Sequence, residues 1–339
     1  MTQRDHGRDL RQGGRGMSDV SFVIEYPIRL DNKKSPFRRN FDYQKTFYNN
    51  LFEVLEEDNI SYRKILLSKH TDPLKGFGKD EFYLGYHRKG ISKPRMYTIK
   101  EAYTLHEMYL DKTGYSGWAE MANNEELFKE SQRVELDEAK RFLSGYVKKY
   151  EENGSTKYKQ SSEISKTPLK FVLVLMQVSN DTVSKLADIS SYNLAKMVSD
   201  GYSGSDFSVV IKPHPRDVRF KPNMVNNKDA IIVNDSIYSL IPKSSAVYTV
   251  NSGAGFESLL YRKPVFTSGH NDYHWVTTRV RNRDDIEKTK SQFDIDKDSI
   301  VKFLYYFLNE YVITYDNKEQ IRRKIMKIMN GANNADRRV

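Results

Sequence analysis

With 339 residues, 38% of them hydrophobic and 29% charged, the chain can bury one large core or two Rossmann-sized cores under a very polar surface. It has no cysteine, which excludes disulfides and thiolate metal sites, and no apolar run near the roughly 18–20 residues of a transmembrane helix. Its 55 Lys and Arg against 45 Asp and Glu give +10, but the basic residues are interleaved with acids. The balance therefore reads as a solvated basic surface or a peripheral attraction to anionic lipid, not as a nucleic-acid tract.

In chain order, residues 1–16 are rich in Arg, Gly and Asp and have no hydrophobic stretch of signal-peptide kind. They read as a disordered leader, with Met17 a candidate start. Residues 20–26 (VSFVIEY) are β-branched and apolar and stop at Pro27, as a buried first strand does. A helical pattern over 43–57 puts Phe47, Leu51, Val54 and Leu55 on one face, and a second strand is expected at 62–67. This β-α-β opening announces a parallel sheet with a crossover helix. Residues 98–150, rich in Tyr and Glu, read as mostly helical, which completes an N-terminal domain at 17–150.

Residues 151–167 (EENGSTKYKQSSEISKT) are polar without periodicity and read as an interdomain linker. The alternation then restarts in a C-terminal domain at 168–330. Strands are expected at 171–176, 207–211, 231–233, 246–250 and 265–267. Helices are expected at 182–199, 237–241, 255–260, 300–308 and 318–329. The expected class is α/β: two facing Rossmann-like domains with parallel sheets and C-terminal helices, binding ligands at the carboxyl ends of strands.

Two turns concentrate the chemistry. Lys212-Pro213-His214-Pro215 follows a buried strand, and its prolines fix the backbone around an exposed His. It reads either as an anion site, where a nearby phosphate would favour imidazolium, or as a turn whose His caps a loop. Asn251-Ser252-Gly253-Ala254-Gly255, between a strand and a helix that carries Glu257, presents backbone N–H groups and a positive dipole end. Ser252 can add a hydroxyl there, Gly253 and Gly255 can let a phosphate approach, and Glu257 can accept ribose hydroxyls. The plain alternative is a tight turn with a capping Ser and an exposed Glu.

KPHP, the NSG turn with its downstream Glu, and Arg262-Lys263-Pro264-Val265 together resemble the capsular polysaccharide biosynthesis proteins, GT-B-type Kdo transferases that use CMP-Kdo. Bacterial sialyltransferases show comparable His-Pro and Ser motifs. The resemblance implies that Lys212, His214, Ser252 and Gly253 hold the CMP phosphate, with Asn251 in the same turn and Glu257 on the ribose. Gln177-Val178-Ser179-Asn180-Asp181 is similar to a Q-x-x-x-D segment of the family's retaining β-Kdo transferases, which implies Asp181 as nucleophile beside Gln177. Asp181 equally suits a helix N-cap. Asp111-Lys112-Thr113-Gly114-Tyr115-Ser116-Gly117-Trp118 resembles a D-x-x-G-Y-S-G-W segment of the family's N-terminal half.

Tyr115, Ser116 and Trp118 are read as an acceptor platform or as core. Arg279, with Arg281 and Arg283, reads as a site for a sugar carboxylate or as a solvated charge run. His270 and His274 near Asp272 lack a helix and a third ligand, so no metal or other cofactor is expected. The expected activity is transfer of Kdo from CMP-Kdo to a surface-glycan or glycolipid acceptor, at the cytoplasmic side of a membrane and without nucleic acid. Another CMP- or CDP-linked transferase (a sialyltransferase or a teichoic-acid-type glycerophosphotransferase), a non-catalytic glycan-assembly protein and a basic RNA-binding module stand as alternatives.

Overall fold

The computed structural model describes residues 10–12, 21–31, 38–67, 78, 81–91, 93–178, 180–222, 225 and 230–336. The chain forms two compact units: Met1–Glu120 with Leu308–Val339, and Met121–Phe307.

Unit 1 begins with β1 (Leu10–Gln12), β2 (Ser21–Pro27), α1 (Arg38–Glu57) and β3 (Ser61–Leu67). It continues with β4 (Glu81–Tyr86), β5 (Met96–Glu101) and β6 (Glu107–Asp111). Phe22, Ile24 and Tyr26 alternate along β2 and join Phe47, Leu51, Val54 and Leu55 of α1 in one buried cluster. Each such side chain contributes about 1.5–3 kcal/mol when fully buried. The sheet runs β1-β3-β2-β4-β5-β6-β13, with β3, β2, β4 and β5 mutually parallel and β1 and β6 antiparallel to their neighbours. It is parallel-dominated, not wholly parallel. Its last strand arrives from the far end of the chain.

The chain leaves unit 1 through α2 (Glu120–Asn123), α3 (Glu125–Ser131) and α4 (Leu136–Glu152). Unit 2 then lays down β7 (Phe171–Leu175), α5 (Ser191–Gly201), β8 (Ser208–Lys212) and β9 (Ala230–Ile232). Next come α6 (Ile237–Lys243), β10 (Ala246–Thr249), α7 (Gly253–Leu260), β11 (Val265–Thr267) and β12 (Thr278–Arg279). The unit ends with α8 (Arg283–Thr289) and α9 (Lys297–Tyr306). Its six strands are all parallel, in the order β12-β11-β10-β7-β8-β9. After a π-helical turn at Phe307–Tyr311, β13 (Ile313–Thr314) pairs with β6. Finally α10 (Lys318–Asp336) sends Ile321, Ile325 and Ile328 into the unit 1 core at i, i+4, i+7 spacing.

Four expectations change. Residues 98–150 are helical only in their second part, in α2, α3 and α4; the first part holds the end of β5 and all of β6, where Met108 and Leu110 alternate with Tyr109 and Asp111, a period-2 pattern. The helix expected at 182–199 breaks into a 3-10 turn at Thr182–Leu186 and α5, because Ser190 caps α5 and Ala187 is bridged to Gly269. Residues 151–167 are not a linker but part of unit 2. Thr156 N–H donates to the Tyr238 hydroxyl at 2.9 Å, Ile237 N–H to Gln160 Oε1 at 3.0 Å and Ser165 N–H to Asp235 Oδ2 at 2.7 Å. The expected domains 17–150 and 168–330 accordingly give way to the units above, with α4 packed on α9. Within residues 1–16, read as a leader, Leu10–Gln12 pair with β3; the rest, with Met17, lies outside the described residues. Among the described residues no helix is long and apolar enough to cross a membrane.

Candidate active site

In unit 2, chain order and sheet order part company between β7 and β10: the sheet grows from β7 through β8 to β9 on one side and through β10 to β12 on the other. Such a switch point opens a crevice at the carboxyl ends of its two strands. The side chain of Gln177, just past β7, spans it. Gln177 Oε1 accepts the N–H of Asn251, just past β10, at 3.3 Å, and its own N–H donates to Ser191 Oγ at 2.9 Å. Asn251 donates Nδ2 to the carbonyls of Val183 and His270, at 2.8 and 3.2 Å, and its Oδ1 is buried without a hydrogen-bond partner among the described residues. Gln177 and Asn251 are thus both buried, and their hydrogen bond ties the segment after β7 to the segment after β10.

The adjacent strand delivers the KPHP turn. His214 Nδ1 accepts the N–H of Arg216 at 3.1 Å, which leaves Nε2 as the ring's donor, and the ring meets Tyr158 edge-on at 4.8 Å between centroids. Burial, reinforced by Arg216 and opposed by Asp181 and Asp217, pushes the His214 pKa down to about 4. These surroundings favour the neutral imidazole at pH 7, and a phosphate alongside would pull the pKa back up. Lys212 turns away from the turn: its ammonium donates to the Asn234 carbonyl at 3.1 Å, and burial lowers its pKa against the pull of Asp235 and Glu163.

On the other flank Ser252 caps α7, its Oγ accepting Ala254 N–H at 3.2 Å, while Gly253 N–H has no partner among the described residues. Gly255 serves packing, not phosphate approach: a Cβ there would stand 2.7 Å from both Thr249 Cγ2 and the Tyr273 hydroxyl. Glu257 is not exposed. It is 3% accessible and accepts the Tyr150 hydroxyl at 2.9 Å, fastening α4 to α7.

Asp181 occupies the N-cap position of its 3-10 turn, but its side chain caps nothing and is exposed. The capping alternative is thus unfulfilled, and the carboxylate lies near enough to His214 to act on its charge. Arg279 is already held by Asp188, with Nε at 2.9 Å and Nη2 at 2.8 Å; Arg281 and Arg283 pair with Asp188 and Asp200. His270 and His274 face Asn123 Oδ1 and the Ala122 carbonyl, and Trp275 donates to the Met121 carbonyl at 2.7 Å. Among the described residues no three His, Asp or Glu side chains gather as metal ligands would. Sequence reasoning missed Tyr158, Gln160 and Asp235. Tyr158 and Gln160 lie in the polar segment 151–167 and Asp235 is a residue that this segment bonds to; such long-range contacts leave no periodic signal.

In unit 1 the D-x-x-G-Y-S-G-W segment is a knot around the buried carboxylate of Asp111. Oδ1 accepts the N–H groups of Thr113 and Gly114 at 2.7 and 2.8 Å, and Oδ2 accepts Glu120 N–H at 3.1 Å and the Tyr311 hydroxyl. Gly114 is required because a Cβ would lie 2.7 Å from that of Trp118. Tyr115 and Ser116 are each 5% exposed, and Lys89 sits 4.8 Å over the Trp118 ring. Of the two readings, acceptor platform or core, Tyr115 and Ser116 have the burial of core, and Trp118 is half-buried.

Comparison with known proteins adds identity to this geometry. A family model described as "Capsule polysaccharide biosynthesis protein" matches residues 121–316. Comparison with curated proteins finds no match. Among solved structures, the Thermosulfurimonas dismutans KpsC beta Kdo 2,7 transferase aligns over 89% of this chain and 99% of its own, at 17% identity and a TM-score of 0.53. The beta Kdo 2,4 transferase of the same KpsC aligns over 86% and 92%, at 15% identity and 0.49. The Methanocaldococcus jannaschii UDP-GlcNAc 2-epimerase aligns over 92% and 99%, at 9% identity and 0.36. The first likeness speaks for the fold, which is α/β and GT-B-like, with two parallel-dominated sheets.

Proposed function

The chain belongs to the capsule polysaccharide biosynthesis protein family, and on that premise we propose that it is a retaining glycosyltransferase that moves Kdo from CMP-Kdo to a surface-glycan or glycolipid acceptor. One observation carries the reading. Three neighbouring parallel strands, β8, β7 and β10, bring His214, Asp181 and the Ser252-capped start of α7 to a single carboxyl edge at a switch point. The fold shared with a protein titled beta Kdo 2,7 transferase supports the choice of sugar.

In this reading the CMP phosphate lies on Gly253 N–H, the Ser252 hydroxyl and the α7 dipole, with His214 Nε2–H donating from the opposite flank. These neutral donors stabilise the charge that grows as the glycosidic C–O bond breaks, and no metal or other cofactor is required. The Asp181 carboxylate attacks the anomeric carbon and CMP departs. The acceptor hydroxyl, giving its proton up to solvent, then displaces the Asp181 carboxylate, so two inversions give retention. Gln177, Asn251, Lys212 and Glu257 act as braces for these groups, and Arg279 stays with Asp188. The acceptor would be held by unit 1, and the basic surface would favour anionic lipid nearby.

Calorimetric titration of CMP, with UMP and ADP as controls, into wild type and His214→Ala tests the donor site. Selective CMP binding that weakens about tenfold or more in the variant is expected. Equal binding of all three nucleotides, or of CMP to both proteins, would remove the basis of the proposal.

A further inference from the structure

Unit 1 has a switch point of its own: its parallel strands run β3-β2-β4-β5, so the sheet reverses between β2 and β4. Past β2 stands Arg29, whose guanidinium lies 5.0 Å from the Tyr86 ring centroid and 5.7 Å from that of Phe41, and donates to the Tyr86 hydroxyl. Past β4 stands His87, in the left-handed backbone region at φ 59°. Non-glycine residues accept that strain where surrounding structure imposes it, commonly at functional sites. Here His87 N–H donates to the Ile99 carbonyl at 2.9 Å and Arg88 N–H to Thr98 Oγ1 at 2.8 Å, which pins the turn.

The imposed turn aims the imidazole at a cationic, aromatic neighbourhood. Its ring lies 4.9 Å from that of Tyr115, which in turn meets Trp118 at 5.7 Å. Lys100 stands 5.8 Å over Tyr115 and Lys89 4.8 Å over Trp118. The imidazole nitrogens have no hydrogen-bond partner among the described residues, and His87 is exposed. Among the described residues, the carboxylate that answers these cations is Glu101, which pairs with Lys100 and accepts the Tyr86 hydroxyl at 3.3 Å. Glu25, fully buried, is spent on Tyr83, Arg88 and the Tyr86 N–H. Arg29, Lys89 and Lys100 against Glu101 leave the edge positive.

We propose that this edge of unit 1 is a second anion-binding site, in which His87, Arg29, Lys89 and Lys100 take a carboxylate or phosphate borne by the acceptor. The anion site follows from the unit 1 geometry alone; assigning its occupant to an acceptor rests on the transferase reading above. Surroundings that favour the neutral ring, burial first and then Lys100, push the His87 pKa down to about 4, so the ring serves as a neutral donor while the cations supply the charge.

The test is calorimetric titration of two probes, inorganic phosphate and sodium glucuronate, at fixed ionic strength into His214→Ala, which disables the donor site. At least one probe should bind, and the additional change His87→Asn or Lys89→Glu should weaken it about tenfold or more. Asn tolerates the left-handed backbone. The probe that binds identifies the group, phosphate or carboxylate. CMP titrated into the His214-intact versions of both variants should match wild type, which verifies folding. Should His87→Asn lose CMP as well, the exposed Lys89→Glu decides. No probe binding, or binding that neither variant weakens, overturns the second site. Absence of CMP binding to wild type overturns the donor reading and leaves this site standing.

Discussion

A methyl group added at Gly255 would meet Thr249 and the Tyr273 hydroxyl at 2.7 Å, and Tyr273 in turn donates to the Ser252 carbonyl. Gly255→Ala should therefore destabilise unit 2 by about 1–3 kcal/mol through overpacking, although alanine is the better helix former. Urea unfolding would check this; a neutral or stabilised variant would mean that the turn relaxes freely. At Asp181 the expectation is reversed. The exposed, uncapping carboxylate supports little structure, so Asp181→Asn should leave the unfolding midpoint and CMP affinity unchanged. Turnover should fall on the order of 10³-fold or more. These two positions show what the sequence made legible. The motifs stand at strand ends, but a sequence cannot say whether a motif residue would touch a ligand or support one that does. Gln177, Asn251, Lys212 and Glu257 are all polar, and that they are buried and hydrogen-bonded within the fold is visible only in the structure.

Among the elements, the Asp111 turn is the one whose loss should cost most. Its carboxylate gathers donors from Thr113, Gly114, Glu120 and Tyr311, and Asp111→Ala would leave them unmet in a buried place. A loss of about 3 kcal/mol or more is expected, read as a lowered thermal midpoint. Asp111→Asn, which keeps one acceptor, should recover part of it. The segment 151–167 carries the complementary lesson. Its composition is that of a flexible linker, and local pattern alone cannot distinguish a free polar strand from one stitched to Asp235, Ile237 and Tyr238. The β-α-β openings were legible because burial imposes a period. β6, where a carboxylate and tyrosines share the strand with Met108 and Leu110, was masked by its polar content.

Across the whole molecule, His87 and His214 share a response to acid. Each has a folded pKa of about 4 against an ordinary 6.5, so between those values the folded chain binds fewer protons than the unfolded one. Their share of stability is intact above pH 6.5 and is withdrawn as pH falls toward 4. Melting temperatures from pH 7.5 to 4.5 should drop more steeply for wild type than for His87→Asn or His214→Gln; identical slopes would contradict the neutral-ring assignment. The passage of the chain through unit 1 has a different consequence, for biosynthesis. The Tyr311 hydroxyl that closes on Asp111 belongs to a residue 200 positions later, and β13 and the isoleucines of α10 come later still. On a ribosome, residues 121–307 emerge and can fold before the first unit has its last strand and helix. The part of this core that β13 and α10 close is therefore completed only after unit 2 has been made, so the unit begun first is the later one to be finished.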